Sequence, residues 1–170
     1  MSVKRIARIA LFAAILFVQE FALSFIPNVQ FTQVLIAVYY YSFGLVDTII
    51  ITTIHVILDN LSIGSFSFIY TPAMYIGWLL LPIILHLFKK FNNRFVISSL
   101  VGLHGLLYSL IFIVIDIILM EISFWPYFVS SLPITIILII NGFITTLLLK
   151  DKLVDLLNMQ KNLLIKKNYK

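Results

Sequence analysis

Along this chain apolar residues come in long runs separated by short breaks, with no sustained alternation of apolar and polar positions. A helix needs about 20 apolar residues to cross the hydrocarbon core of a bilayer. Reading the runs between prolines, glycines and charge clusters yields six candidate helices. The first covers residues 6–26 and is stopped by Pro27. The second covers 32–43; it is short, tyrosine-rich and extends toward Asp47 past Gly44. The third covers 46–62 and ends at Gly64. The fourth covers 70–88, with Pro72 in its first turn and Pro82 inside. Pro82 removes a backbone donor, which predicts a kink. The fifth and sixth cover 95–122 and 126–149. The remaining segment, DKLVDLLNMQKNLLIKKNYK, predicts a short basic amphipathic helix on the membrane surface.

Composition fixes the class. The 170 residues are 62% hydrophobic and 11% charged, too few polar groups to cover a soluble domain. The expected fold is therefore all-α: a polytopic six-helix transmembrane bundle over residues 1–150, followed by a basic amphipathic tail over 151–170. With no cysteine, a disulfide framework and a thiolate site are excluded. The opening MSVKRIARIALFAAILFVQEF has the basic start and apolar run of a signal peptide, but no small-x-small cleavage site follows, so a retained first helix is expected.

Charge placement sets the orientation. All 12 lysines and arginines fall in three groups: Lys4, Arg5 and Arg8; Lys89, Lys90 and Arg94; and Lys150 onward. Six crossings put the three groups on one side. The positive-inside rule makes that side cytoplasmic, along with both termini, in a multi-pass plasma-membrane protein. Fusing the second and third runs would split the groups across the membrane. Of the acids, Glu20, Asp59, Asp116 and Glu121 map to the outer half, whereas Asp47, Asp151 and Asp155 map to the inner face.

Polar side chains in the outer half are the candidate site. A charge in lipid costs at least a few kcal/mol, so such groups face a protein interior or a wet cavity. His55, Asp59 and Asn60 lie on the third helix, Gln19 and Glu20 on the first. Asn28, Gln30 and Gln33 follow in the first outer connection. Tyr70, Tyr75 and Trp78 come from the fourth helix, His104, Tyr108 and Asp116 from the fifth, and Asn141 from the sixth. An aromatic pocket with a few orienting polar groups has the usual composition of a small-molecule site. The expected binding set is Gln19, Glu20, Asn28, Gln30, Asp59, Asn60, Tyr70, Trp78, His104, Tyr108 and Asn141. For each histidine a hydrogen-bonded position within the bundle is the competing reading. Asn141 is also placed to bridge helices, and Trp125 and Tyr127 suit the outer aromatic belt.

On the first helix Ala7, Ala10 and Ala14 share one face in the inner half, away from that set. Small residues let another helix approach closely, which predicts a docking surface. Phosphate-binding, nucleophile-elbow, zinc-protease and dinucleotide motifs are all missing. Neither a catalytic residue, a cofactor, a metal nor a nucleic-acid partner is expected. A metal held by His55, Asp59 and His104 is the weaker explanation of the His55–Asp59 spacing, beside a structural hydrogen bond.

The stretches IPNVQFTQVLIAVYY, VILDNLSIGS and YTPAMYIGWLLLP, with six spans and the alanine face on helix one, resemble the substrate-binding S components of energy-coupling-factor (ECF) vitamin transporters. The resemblance covers nearly the whole chain. It implies an outward-facing pocket for a vitamin or related micronutrient. It implies a membrane coupling subunit and two ATPases as partners, and toppling of the S component in the bilayer to deliver its ligand. It assigns Ala10 and Ala14, with Ala7 beside them, to the contact with the coupling subunit. The outer half has no lysine or arginine to hold a carboxylate. Acids, amides and aromatics suit a neutral or cationic heteroaromatic ring, pyridoxine-like or aminopyrimidine ligands first, with cobalamin, riboflavin and an anion bound by a helix dipole as the alternatives. Two other classes compete. A stand-alone proton-coupled carrier would use Glu20, Asp59 or Asp116 as relay. A membrane-embedded enzyme would use His55, Asp59 and His104.

Overall fold

The computed structural model describes residues 2–26, 29–63 and 66–167, with side chains as far as Met159 apart from Ile63. The described residues form six helices: α1 (Val3–Leu23), α2 (Thr32–Phe43), α3 (Leu45–Ile63), α4 (Tyr70–Leu87), α5 (Arg94–Met120) and α6 (Phe124–Lys167). All but α2 are long and apolar enough to cross a membrane. At 1.5 Å per residue the 12 residues of α2 span about 18 Å, well short of a hydrocarbon core.

Local signals explain the boundaries. Ser2 caps α1, its hydroxyl accepting from the Arg5 amide, and Asn93 caps α5 by accepting from the Phe95 amide at 2.8 Å. Gly44 separates α2 from α3 with φ 83°, a conformation that costs a side-chain-bearing residue strain. Its carbonyl accepts from both the amide and the hydroxyl of Thr48, starting α3 at once. Pro82 lies inside α4, which continues past it.

The largest departure from the sequence reading is α6. It runs unbroken from Phe124 to Lys167, without a boundary near residue 150. Leu149, Leu153, Val154 and Leu157 explain the continuation: spaced four, one and three residues apart, they form one helical face that packs on the core.

Helix α2 occupies the centre and packs against all five others. Neighbours around it run α1, α3, α4, α5, α6, and among the described residues α1 and α6 do not approach each other. Thr32 through Ala37, except Leu35, and Val38 through Tyr40 are buried; Leu16, Ile51, Trp78, Leu81, Leu85 and Ile97 close round them. The outward faces carry Leu11, Val18, Ile57, Ile76, Leu103, Val114, Ile118, Ile140 and Leu148, all exposed. An apolar belt of this extent is a lipid-facing surface in a helical membrane protein. Between apolar helices in lipid, close packing and small residues supply the association that burial supplies in water. Gly102 and Gly105 do this for α5 on α6: a methyl on either would meet the backbone of Ile139 at 3.2 Å.

Ion pairs fix the direction of the helices. Arg5 and Arg8, at the start of α1, both donate to the buried carboxylate of Asp47, at the start of α3. Arg8 also lies over the Phe43 ring, 4.7 Å from its centroid. Lys150 pairs with Asp151 at 2.8 Å and lies 4.6 Å from the centre of the Tyr41 ring. Arg94 donates to the carbonyl of Leu147 and lies 3.8 Å from Asp151. The cations expected to share one side thus gather at one end of the bundle, where α1, α3 and α5 begin and α2 and α4 finish. The opposite end is free of lysine and arginine among the described residues.

Candidate functional site

The cation-free end is built from the finish of α1, the start of α2 and the second half of α3. Gln19 works as an external cap for α2: its Oε1 accepts from the Phe31 amide at 2.9 Å, and its Nε2 donates to the Thr32 hydroxyl at 2.6 Å. Thr32 in turn donates to Oε2 of Glu20 at 2.9 Å. The Glu20 carboxylate is therefore held near the α2 N-terminus, where the helix dipole favours negative charge. His55, fully buried on α3, brings its Nε2 to 3.1 Å from the same Glu20 oxygen. The angle is not that of a hydrogen bond, and Nδ1 also lacks a partner.

Asp59 is one helical turn beyond His55. It is 6% exposed, and its carboxylate accepts no hydrogen bond and pairs with no cation among the described residues. It lies within electrostatic reach of Glu20 and His55, and Tyr108 within reach of both acids. An aromatic wall faces the cluster. The Trp78 ring stands 6.3 Å from His55, 5.7 Å from His104 and 4.7 Å from Tyr108. Trp78 is buried, and its Nε1 makes no hydrogen bond of normal geometry.

The expected binding residues separate into distinct groups. Gln19, Glu20, Asp59, Trp78 and Tyr108 converge on this locus, together with Thr32 and His55. The others are engaged elsewhere. His104 is a bundle histidine: its Nε2 lies 2.9 Å from the Gly77 carbonyl and its Nδ1 3.3 Å from Gln33 Nε2, tying α5 to α4 and α2. Gln33, placed in the outer connection by sequence, is a buried residue of α2 that also donates to the Val101 carbonyl. Asn60 fastens α3 to α4, accepting from the Thr71 hydroxyl at 2.7 Å and donating to the Val56 carbonyl. Asn141 donates to the backbone carbonyl of Gln30 at 2.6 Å, pinning α6 to the connection before α2. The Gln30 side chain reaches Thr32 at 3.5 Å. Asn28 lies outside the described residues.

Tyr70 belongs to a third group. Its hydroxyl and that of Tyr127 each donate to Asp116 at 2.6 Å, joining α4, α5 and α6. Beside this clamp, a cavity of about 240 Å³ between α5 and α6 is lined by Tyr108, Phe112, Asp116, Tyr127, Ser131 and Thr135. Sequence reading gave Tyr127 to the aromatic belt and missed Thr32, Ser131 and Thr135, whose roles depend on neighbours many residues away. No three His, Asp or Glu side chains among the described residues converge at metal-ligand spacing. Ala7, Ala10 and Ala14 are exposed on α1, which packs through Ile9, Ala13 and Leu16 instead.

The architecture defines a helical membrane protein with a buried acid–imidazole–aromatic cluster at its cation-free end. No protein-family model matches the chain, no curated protein is detectably similar in sequence, and no solved structure is detectably similar in fold.

Proposed function

We propose that this chain is the membrane-embedded substrate-binding subunit of an ECF-type importer, capturing a vitamin or related micronutrient from outside the cell. The reading takes all six helices as crossings of the plasma membrane. The connection before α2 and α2 itself return the chain between α1 and α3, and the basic end with both termini faces the cytoplasm. Delivery then depends on a separate coupling subunit and two ATPases.

The carrying observation is a segregation within one small bundle. Asp59, His55 and Trp78 are buried beside the half-buried Glu20 at the cation-free end, whereas the alanine stripe of α1 is turned away from every other helix. A small-molecule pocket and a helix-docking surface are the two parts such a subunit requires.

The test is purification of the tagged chain from membranes of its host, with protein mass spectrometry. Wild type is expected to carry a membrane coupling subunit and ATP-hydrolysing subunits. Ala10→Leu with Ala14→Leu is expected to lose them while the chain stays folded. A double variant that retains them would refute the assigned surface, and wild type without any ATPase would refute the importer. The unpaired Asp59 beside Glu20 and His55 favours one second reading, a stand-alone proton-coupled carrier. Uptake into liposomes by the chain alone, driven by a pH gradient, would establish that reading instead.

A further inference from the structure

Of the two buried carboxylates among the described residues, Asp47 receives two arginines and Asp59 has no partner. The half-buried acids are also engaged, Asp116 by two tyrosine hydroxyls and Glu20 by the Thr32 hydroxyl. Leaving a carboxylate unpaired in an apolar bundle is costly, and a donor or cation from outside the chain offsets that cost. The groups around Asp59 are open in a complementary way. Oε1 of Glu20 accepts no hydrogen bond among the described residues, which adds a second acceptor. His55 is fully buried, with Nε2 3.1 Å from Glu20 and Nδ1 without a hydrogen-bond partner, and the buried Trp78 ring stands 6.3 Å from it as an aromatic wall.

We infer that Asp59, Glu20, His55 and Trp78 form a recognition centre for an amino-substituted nitrogen heteroaromatic. In such a ring an exocyclic N–H and a ring nitrogen sit side by side. The amino group donates to one carboxylate while the ring nitrogen either accepts from His55 or, when protonated, donates to the second acid, with Trp78 as the aromatic wall. One ligand edge would thus answer a carboxylate and one further open group together. A hydroxylated ring without an amino group answers fewer of them, and a carboxylate ligand is repelled by both acids. An inorganic cation fits poorly, since the indole N–H and the aromatic walls contribute no oxygen ligands.

This deepens the capture reading and rests on it only for the existence of a small organic ligand. The test uses the purified full-length chain in lipid nanodiscs, titrated by calorimetry with 4-amino-5-hydroxymethyl-2-methylpyrimidine, pyridoxine and pantothenate. The aminopyrimidine is expected to bind most tightly. Asp59→Asn and Glu20→Gln, which keep shape and remove charge, are expected to weaken it by at least about 30-fold, as removal of one partner of a buried polar pair does. Asp155→Asn at the other end should leave it unchanged. A ligand-free readout guards against misfolding: Asp59→Asn is expected to raise the melting temperature of the empty chain, because it discharges an unpaired buried acid. The inference fails if the aminopyrimidine does not bind wild type, if both isosteric variants bind it as wild type does, or if pantothenate binds in preference. Co-purified ATPases separate the two failures. Partners without aminopyrimidine binding overturn this inference alone, and aminopyrimidine binding without partners upholds it while overturning the importer.

Discussion

Replacing Gly142 by alanine tests the packing that sets the centre of the bundle. A methyl at this position would stand 2.8 Å from Cδ of Gln33 and closer still to its Oε1. The end of a glutamine is ordinarily free to swing aside. Here it is fully buried and tied by Nε2 to the Val101 carbonyl and to His104. It also has Gly105 at its back, where an added methyl would lie 3.2 Å from the same Nε2. Overpacking of this kind costs about 1–3 kcal/mol. Displacing the amide adds about 1 kcal/mol for each hydrogen bond lost. Alanine returns about 0.5–1 kcal/mol through its better helix propensity. The balance is a destabilisation of about 3 kcal/mol. Thermal unfolding of the purified chain in one detergent should show it as a clear fall in melting temperature. Gln33→Ala removes the obstruction, so Gln33→Ala with Gly142→Ala should be no less stable than Gln33→Ala alone, a strong departure from additivity. If Gly142→Ala is as stable as wild type, or if the two losses simply add, Gln33 is not wedged against α6 and the account of α2 as the packed centre is wrong.

Two further substitutions probe the ends of the bundle. Asp47→Asn leaves Arg5 and Arg8 without their shared carboxylate; because both arginines are partly exposed, the expected loss is only about 1–2 kcal/mol, read by the same melting assay, and an unchanged melting temperature would show that the pairs contribute nothing. Tyr70→Phe and Tyr127→Phe each remove one donor from Asp116 and should each lower the melting temperature, with a double variant that departs from the sum of the two because both serve one carboxylate; strict additivity would argue against a clamp.

What could be read from the chain was whatever depends on neighbours in sequence. The bounds of α2 fall at Thr32 and Phe43 as expected, because Gly44 is a local signal with a local effect, and the ends of α1, α3, α4 and α5 lie within three residues of the expected ones. The end of α6 lies beyond the expected one for a physical reason. The sequence turns polar at Lys150 and Asp151, where composition alone predicts the end of the buried face. Charged residues such as lysine are good helix formers, so a change to polar composition does not end a helix, and Leu153, Val154 and Leu157 continue the packing face beyond that change.

Polar residues show the same division more sharply. Sequence could place Gln19, Glu20, Asp59, Asn60, Tyr70, His104 and Asn141 at one end of a bundle, but residue type cannot tell a satisfied polar group from an open one. That distinction lies in pairs far apart along the chain, such as His104 with Gly77, Asn141 with Gln30 and Tyr70 with Asp116. These pairs are held to neighbouring segments, and their polar atoms are already answered within the bundle. Subtracting them leaves Asp59, the outer oxygen of Glu20 and the imidazole of His55, with Trp78 as their aromatic wall. A bundle that satisfies Asp47 and Asp116 so fully has the means to satisfy Asp59 too, with Asn60 and Ser62 close by in sequence. Both of those side chains instead hydrogen-bond the backbone of α3 itself, Asn60 at Val56 and Ser62 at Asp59, and the acid stays open. A nearly buried carboxylate left without a protein donor, beside side chains that could have supplied one, is open to a donor from outside the chain, and that is the feature a binding site needs.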